Sequence, residues 1–188
     1  LTRLRYVAGD EIVGREVVDD VAKFVYESPL PKNWFEEIVS MRRKTETRSK
    51  VTGAKFIDLK LGAGGMVDIE FLAQMMQLRY GGELPAARQA KTADVIKQMA
   101  SMAFVGKESD SLVAAYEMYR RVETLLRLTL EERGAVLPEG EKLELLARTM
   151  KSSNGEALQR MLSSTMKNVR QTFLSLSHNL SSRLNEPS

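Results

Sequence analysis

The chain has 188 residues, 43% of them hydrophobic and 28% charged, enough for one sizeable core or a compact domain with a smaller appendage. It has no cysteine and a single histidine, His178, which excludes disulfides, thiolate metal sites, cysteine nucleophiles and a His-rich zinc centre. A net charge of +3 is too balanced for a nucleic-acid footprint, and no apolar run nears the ~20 residues that span a bilayer, so neither partner is expected; a cysteine-free chain fits a cytoplasmic location.

The opening LTRLRYVAGD, basic and apolar with no initiating methionine, reads as a cut inside a longer protein. Asp10 is placed to cap a first helix, in which Ile12, Val17, Val18, Val21, Phe24 and Val25 recur at helical spacing to about Tyr26. Ser28-Pro29-Leu30-Pro31 breaks the chain. A second helix is predicted from about Lys32 to Arg48, with Trp34, Phe35, Ile38, Val39 and Met41 on its apolar side. Its basic run, Arg42-Arg43-Lys44 through Lys50, reads as a solvated face at a helix C-terminus or as a contact for phosphate or an acidic partner. A short extended piece, Phe56–Leu61, then enters a turn containing Gly62, Gly64 and Gly65.

A helix follows from Met66 to Tyr80, stopped by Gly81-Gly82. Thr92 is placed to cap a helix to about Met102. Ser109 or Asp110 opens a long helix to about Glu132, lined by Leu112, Tyr116, Tyr119, Val122, Leu126 and Leu130. Gly134 and Pro138 separate it from a short helix near Glu141–Met150, and Asn154-Gly155 precedes a final long helix with an apolar stripe from Leu158 to Leu180 that includes Met161 and Met166. The predicted fold class is all-α: a helical bundle of six or seven helices with a Gly-rich turn before a central buried helix.

The Gly turn is the candidate for function. Glycines before a helix free the backbone to take φ > 0 and leave the first N–H groups uncovered, which suits an anion or a carboxylate. A dinucleotide fold is excluded: Val67 stands where G-x-G-x-x-G needs a third small residue, and no second strand follows. No Gly-Lys-Ser/Thr closes the turn, so it is no P-loop either. In the helix beyond, Ile69, Leu72, Ala73, Met76 and Tyr80 make one apolar stripe and Phe71, Met75 and Leu78 a second. Between them lie Glu70, Gln74 and Gln77, with Asp68 in the first turn. A helix apolar on two sides is largely buried, so these polar groups need partners. Either an internal network satisfies them, with Glu70 paired to an arginine such as Arg120, or they face a cleft shared with another domain.

KLGAGGMVDIEFLAQMMQLRYG resembles the signature of the helical domain that follows the nucleotidyltransferase domain in glutamine synthetase adenylyltransferases. A related helical domain occurs in the uridylyltransferase that modifies the PII signalling protein. The residues carrying the likeness are Lys60, Gly64, Gly65, Asp68, Ile69, Glu70, Phe71, Gln74, Leu78 and Arg79. LTRLRYVAGD resembles that family's junction after the nucleotidyltransferase domain. AYEMYRRVETLLRL resembles its Ala-Tyr-x-x-Leu-Arg-x-x-Glu helix through Ala115, Tyr116, Arg120 and Glu123, with Tyr119 in place of the usual Leu. VLPEGEKLELLARTM and MKNVRQTF fit the later helices more loosely.

The resemblance implies a non-catalytic helical domain of a bifunctional enzyme that moves AMP from ATP to a tyrosine of glutamine synthetase and removes it, regulating nitrogen assimilation. It divides the chain into a linking segment, 1–54, and a helical domain, 55–188, with an upstream nucleotidyltransferase domain in cis. Glutamine synthetase and PII are the implied partners, and Mg²⁺ and ATP the implied cofactors, of the parent enzyme. The chain has neither the Gly-Ser nor the Asp-x-Asp that would hold the metal, so no cofactor and no catalytic residue is expected within it. The expected nucleotide-cleft or domain-interface residues are Lys60, Gly62, Gly64, Gly65, Asp68, Glu70, Gln74, Arg79, Arg120 and Glu123. The polar, Pro-containing end, Ser181–Ser188, favours the C-terminal, transferase half of such an enzyme. The alternative is a stand-alone helical protein-interaction module with the Gly turn as connector.

Overall fold

The computed structural model describes residues 1–51, 56–100, 105–106, 108–131 and 134–184, the side chains at 48–51 and 184 aside. The expected helix ends at Met102 and Glu132, the 54/55 boundary and the last four residues lie outside that description. Among the described residues there are seven α-helices: α1 Glu11–Glu27, α2 Trp34–Val51, α3 Met66–Tyr80, α4 Thr92–Met99, α5 Glu108–Thr129, α6 Gly140–Thr149 and α7 Gly155–Leu184. The fold class is all-α, as the periodicity predicts. The extended piece survives as one antiparallel bridge between Asp58 and Val136, with Leu59 N–H donating to Ala135 O and Leu137 N–H to Ile57 O, both at 2.9 Å. No described helix is long and apolar enough to cross a membrane.

The core is built around α3, which packs against α2, α4, α5 and α7. Ten of its fifteen residues are buried, so it is an interior helix rather than an amphipathic surface one. Both of its apolar stripes are used: Ile69, Leu72, Ala73, Met75, Met76 and Tyr80 are buried, and Phe71 and Leu78 pack against the same cluster. α7, about 45 Å long at 1.5 Å per residue, covers the body with Leu158, Leu162, Val169, Phe173, Leu176 and Leu180. Met161, expected in that stripe, is 43% exposed. Trp34 and Phe35 of α2 join this cluster, so α2 packs with the helices beyond residue 55.

Two helix starts behave as their sequences suggest. The Asp10 carboxylate accepts from Ile12 N–H (2.9 Å) and Val13 N–H (3.0 Å), and the Asn154 side-chain oxygen accepts from Ala157 N–H (2.8 Å). Thr92 does not cap α4; it is the first helical residue, it is buried, and Lys91 occupies the cap position without a side-chain bond. Gly81 ends α3 in a right-handed conformation, φ −64°, and not in the left-handed one usual for a terminating glycine. Its reason is space, because a Cβ there would strike the Tyr26 ring.

α1 departs furthest from expectation. Of its apolar positions only Val25 is buried, while Ile12, Val17 and Phe24 are exposed. Periodicity identifies an amphipathic helix but does not say what covers it.

Candidate functional site

The Gly turn is a folded knot whose donors are spent internally. The Asp58 carboxylate accepts from Lys60 N–H and Leu61 N–H, both at 2.9 Å, and Gly62 N–H returns to Asp58 O at 3.0 Å. Met66 N–H donates to Leu59 O (2.8 Å) and Val67 N–H to Lys60 O (3.1 Å). The free N–H groups that would cradle an external anion are therefore taken by the segment that leads into the helix. One carboxylate does sit there, and it comes from α3 itself: Asp68 accepts from Gly64 N–H at 2.7 Å.

Asp68 is fully buried. Beyond Gly64 it pairs with Arg42 of α2, through Nε, and with Arg170 of α7, whose Nη1 lies 3.2 and 3.1 Å from its two oxygens. Arg42 Nη2 also donates to Gly62 O (3.1 Å), and Arg170 Nη2 donates to Glu46 Oε2 (2.9 Å). Two arginines and two carboxylates thus tie α2, the Gly turn, α3 and α7 into one neutral cluster. A buried carboxylate is tolerable only when paired and hydrogen-bonded in this way.

This corrects two expectations. Asp68 does not face a cleft, and Arg42 is 2% exposed, so the basic run of α2 is not wholly a solvated face. Arg42, Glu46 and Arg170 were not among the expected site residues. The looser likeness of MKNVRQTF, which contains Arg170, was the available signal. The outer side of the turn, with Phe56, Ala63, Met166, Lys167 and Arg170, lines an open depression of about 530 Å³.

The accessible candidates lie on the seam between α3 and α5. Lys60 Nζ stands 3.0 Å from Glu123 Oε1, and Arg120 Nη1 stands 3.1 Å from Glu123 Oε2. The carboxylate is 5% exposed, whereas the two cations are 47% and 57% exposed, so a sunken acid holds two cations with their outer sides open to solvent. Further along, Glu70 accepts from the Tyr116 hydroxyl at 2.9 Å and pairs with Arg3 at 3.5 Å. Glu70 therefore does not pair with Arg120, as the sequence suggested; the N-terminal arm supplies its arginine.

Gln74 is half-buried, while Gln77 is buried and donates to Ala87 O (3.0 Å) and Gln89 O (2.8 Å). Arg79 lies apart, at the far end of α3, paired with Glu83 at 3.1 Å. Gly65 is the buried N-cap of α3. Of the ten expected residues, the structure groups Lys60, Arg120 and Glu123 on one face with Glu70 beside them. Gly64 and Asp68 belong to the interior, and Gly62 is half-buried on the wall of the outer depression. Among the described residues, no group of three or more His, Asp or Glu could hold a metal ion.

Tyr119, the residue that replaces the usual Leu, carries a buried hydroxyl with no hydrogen-bond partner among the described residues. Burial, and after it the charge of Asp68, pushes this hydroxyl well above the usual tyrosine range. The unfolded chain therefore ionises first, and stability held below about pH 10 is lost as pH rises beyond it. Tyr119→Phe should raise stability by about 1 kcal/mol and flatten that alkaline loss, as thermal unfolding at pH 7 and pH 11 would read. A loss of stability in the variant would mean that the hydroxyl has a partner.

Comparison with known proteins supplies the family. The model described as GlnD PII-uridylyltransferase matches residues 37–177. The bifunctional glutamine synthetase adenylyltransferase/adenylyl-removing enzyme of Thioalkalivibrio sulfidiphilus is 30% identical over 175 residues, 92% of this chain and 18% of that protein. The proteins of the same description from Agrobacterium fabrum (30% over 179 residues, 93% of this chain, 18% of that protein) and Bradyrhizobium diazoefficiens (32% over 167 residues, 86% and 17%) are similar in the same way. The chain spans less than a fifth of the length of these curated relatives. With its all-α fold, its Gly turn locked by Asp68 and a family match over three quarters of its length, the chain belongs to the GlnD PII-uridylyltransferase family.

Proposed function

We propose that the chain is the non-catalytic helical domain of a bifunctional enzyme that adenylylates and deadenylylates glutamine synthetase, and that its α3–α5 face supports the cleft of a nucleotidyltransferase domain in cis. The observation that carries this is the cluster of Lys60, Arg120 and Glu123. The nearly buried Glu123 fixes two half-exposed cations at 3.0 and 3.1 Å, and fixed cations can meet phosphate or a partner's carboxylates at little entropic cost. Glu70, set by Tyr116 and Arg3, extends the face with an acid that is 24% exposed. The chain's own residues position and neutralise charge here; none is placed to attack or to transfer a proton.

In this reading magnesium and ATP belong to the neighbouring domain, since the chain has neither the Gly-Ser nor the Asp-x-Asp by which the resemblance would place the metal. Glutamine synthetase and PII are partners of the whole enzyme, in the cytoplasm. The names of the relatives and the shared family support this assignment.

Glu70→Gln in the full-length enzyme tests the reading. Losing the charge that Arg3 faces should lower AMP transfer to glutamine synthetase by about tenfold or more, the range seen when a positioning interaction is lost. The 188-residue chain should lose under about 1 kcal/mol of stability, because the pair is partly exposed. Magnesium-dependent transfer of labelled AMP by the 188-residue chain alone would overturn the non-catalytic assignment. Activity that falls only in proportion to stability would overturn the cleft role.

A further inference from the structure

α1 is the part of the molecule that its own core does not explain. Of the fourteen large apolar side chains exposed among the described residues, eight lie within the first 24 positions, among them Leu4, Val7, Val13, Val17 and Phe24. Apolar residues scattered singly over a surface are ordinary, but a concentration of this kind marks an interface. At 100° per residue, Val13, Val17 and Phe24 fall within about 40° of one another on the helix. Glu16, Asp20 and Glu27, all exposed, run beside them along one flank, and Lys23 on the same flank pairs with Asp20 at 3.5 Å, which leaves the flank net acidic. The arm before the helix is folded onto it: the Tyr6 ring fills the space above Gly14, and its hydroxyl donates to Gly9 O at 2.7 Å. The arm brings exposed Arg3 and Arg5 beside its apolar residues, while α1 itself presents an apolar stripe with a net acidic edge.

The family match begins at residue 37 and leaves α1 outside it, whereas the Agrobacterium fabrum relative aligns over 93% of the chain and so takes in most of α1. The helix accordingly goes with proteins more than five times as long as this chain, which have further domains to cover it.

We propose that the outer stripe of α1, with the arm, docks another domain of the same polypeptide, one presenting an apolar patch edged by lysine or arginine. Glu16 and Glu27, with Asp20 already paired to Lys23, set that edge, and the stripe supplies the dry centre that stable interfaces require. The inference rests on the reading of the chain as part of a longer enzyme; the stripe of α1 belongs to a different helix from the α3–α5 seam, which the arm reaches only through Arg3.

Hydrogen–deuterium exchange on the full-length enzyme and on the 188-residue chain tests it. The amides of α1 should exchange about tenfold or more slowly in the full-length enzyme, since docking suppresses local opening. Val17→Asp with Phe24→Asp should abolish that difference and leave the melting of the 188-residue chain unchanged, because both side chains face solvent there. Equal exchange of α1 in both proteins overturns the proposal. So does a concentration-dependent dimer of the 188-residue chain that the double variant disperses, which would assign the stripe to a second copy. If the seam around Arg120 gains protection and α1 does not, this inference fails and the proposed function stands. If α1 gains protection while Glu70→Gln leaves transfer intact, the cleft role fails and the docking surface stands.

Discussion

Asp68→Ala should destabilise the chain by about 3–5 kcal/mol, measured from urea unfolding at neutral pH, because it removes one member of a buried ion cluster and strands the others. Asp68 is fully buried and meets three donors: Gly64 N–H at 2.7 Å, Arg170 at 3.1 Å and Arg42. Without its charge, two arginines face Glu46 alone, and one of them, Arg42, is as buried as the aliphatic core. Whole domains hold only about 5–15 kcal/mol, so the variant should lie close to unfolding under mild conditions. Asp68→Asn keeps the shape and removes the charge, and it should fall nearly as far. Combining Asp68→Ala with Arg42→Met should cost less than the sum of the two single changes, since the second removes the stranded cation. A loss below about 1 kcal/mol for Asp68→Ala would show that water reaches the cluster and that the pair behaves as an exposed one.

The architecture was legible because helices announce themselves locally. Asp10 caps the helix it was expected to cap, and Asn154, expected only to precede the last helix, caps that one as well. The interior position of α3 was legible as well, since two apolar stripes on fifteen residues leave little to face water.

What could not be read was the pairing. Asp68 meets an arginine 26 residues before it and another 102 residues after it, and nothing in the spacing of charges links such positions. Glu70 was expected to meet an arginine such as Arg120, but the arm brings Arg3 instead. Lys60 and Glu123, 63 residues apart, were both expected at the site through the family likeness, but no rule of spacing pairs them. The exposed side of α1 escaped for a related reason: an amphipathic pattern is the same whether its apolar face is covered from within the chain or from outside it.

Gly64→Ala should cost roughly 2–5 kcal/mol, from two separable sources. Gly64 has φ +78°, a left-handed conformation that costs a residue with a Cβ about 1–2 kcal/mol. A Cβ there would also run into the carbonyl of Met166 on α7, which is backbone and has no rotamer by which to withdraw. The turn is therefore built for the close approach of α7 as much as for its own bend, and that approach lets Arg170, one helical turn beyond Met166, reach Asp68. Gly134→Ala supplies the comparison: φ is +103°, yet nothing lies within 4 Å of the added carbon, so only the backbone cost applies. Chemical unfolding of both variants should show Gly64→Ala losing at least twice as much stability as Gly134→Ala. Equal losses would mean that α7 can back away from the turn freely, and the Asp68 cluster would then be the consequence of helix packing rather than its anchor. A further readout follows from Lys60, which lies four residues before Gly64 and 3.0 Å from Glu123. If the turn holds Lys60 in place, Gly64→Ala in the full-length enzyme should lower AMP transfer even at temperatures where the variant remains folded.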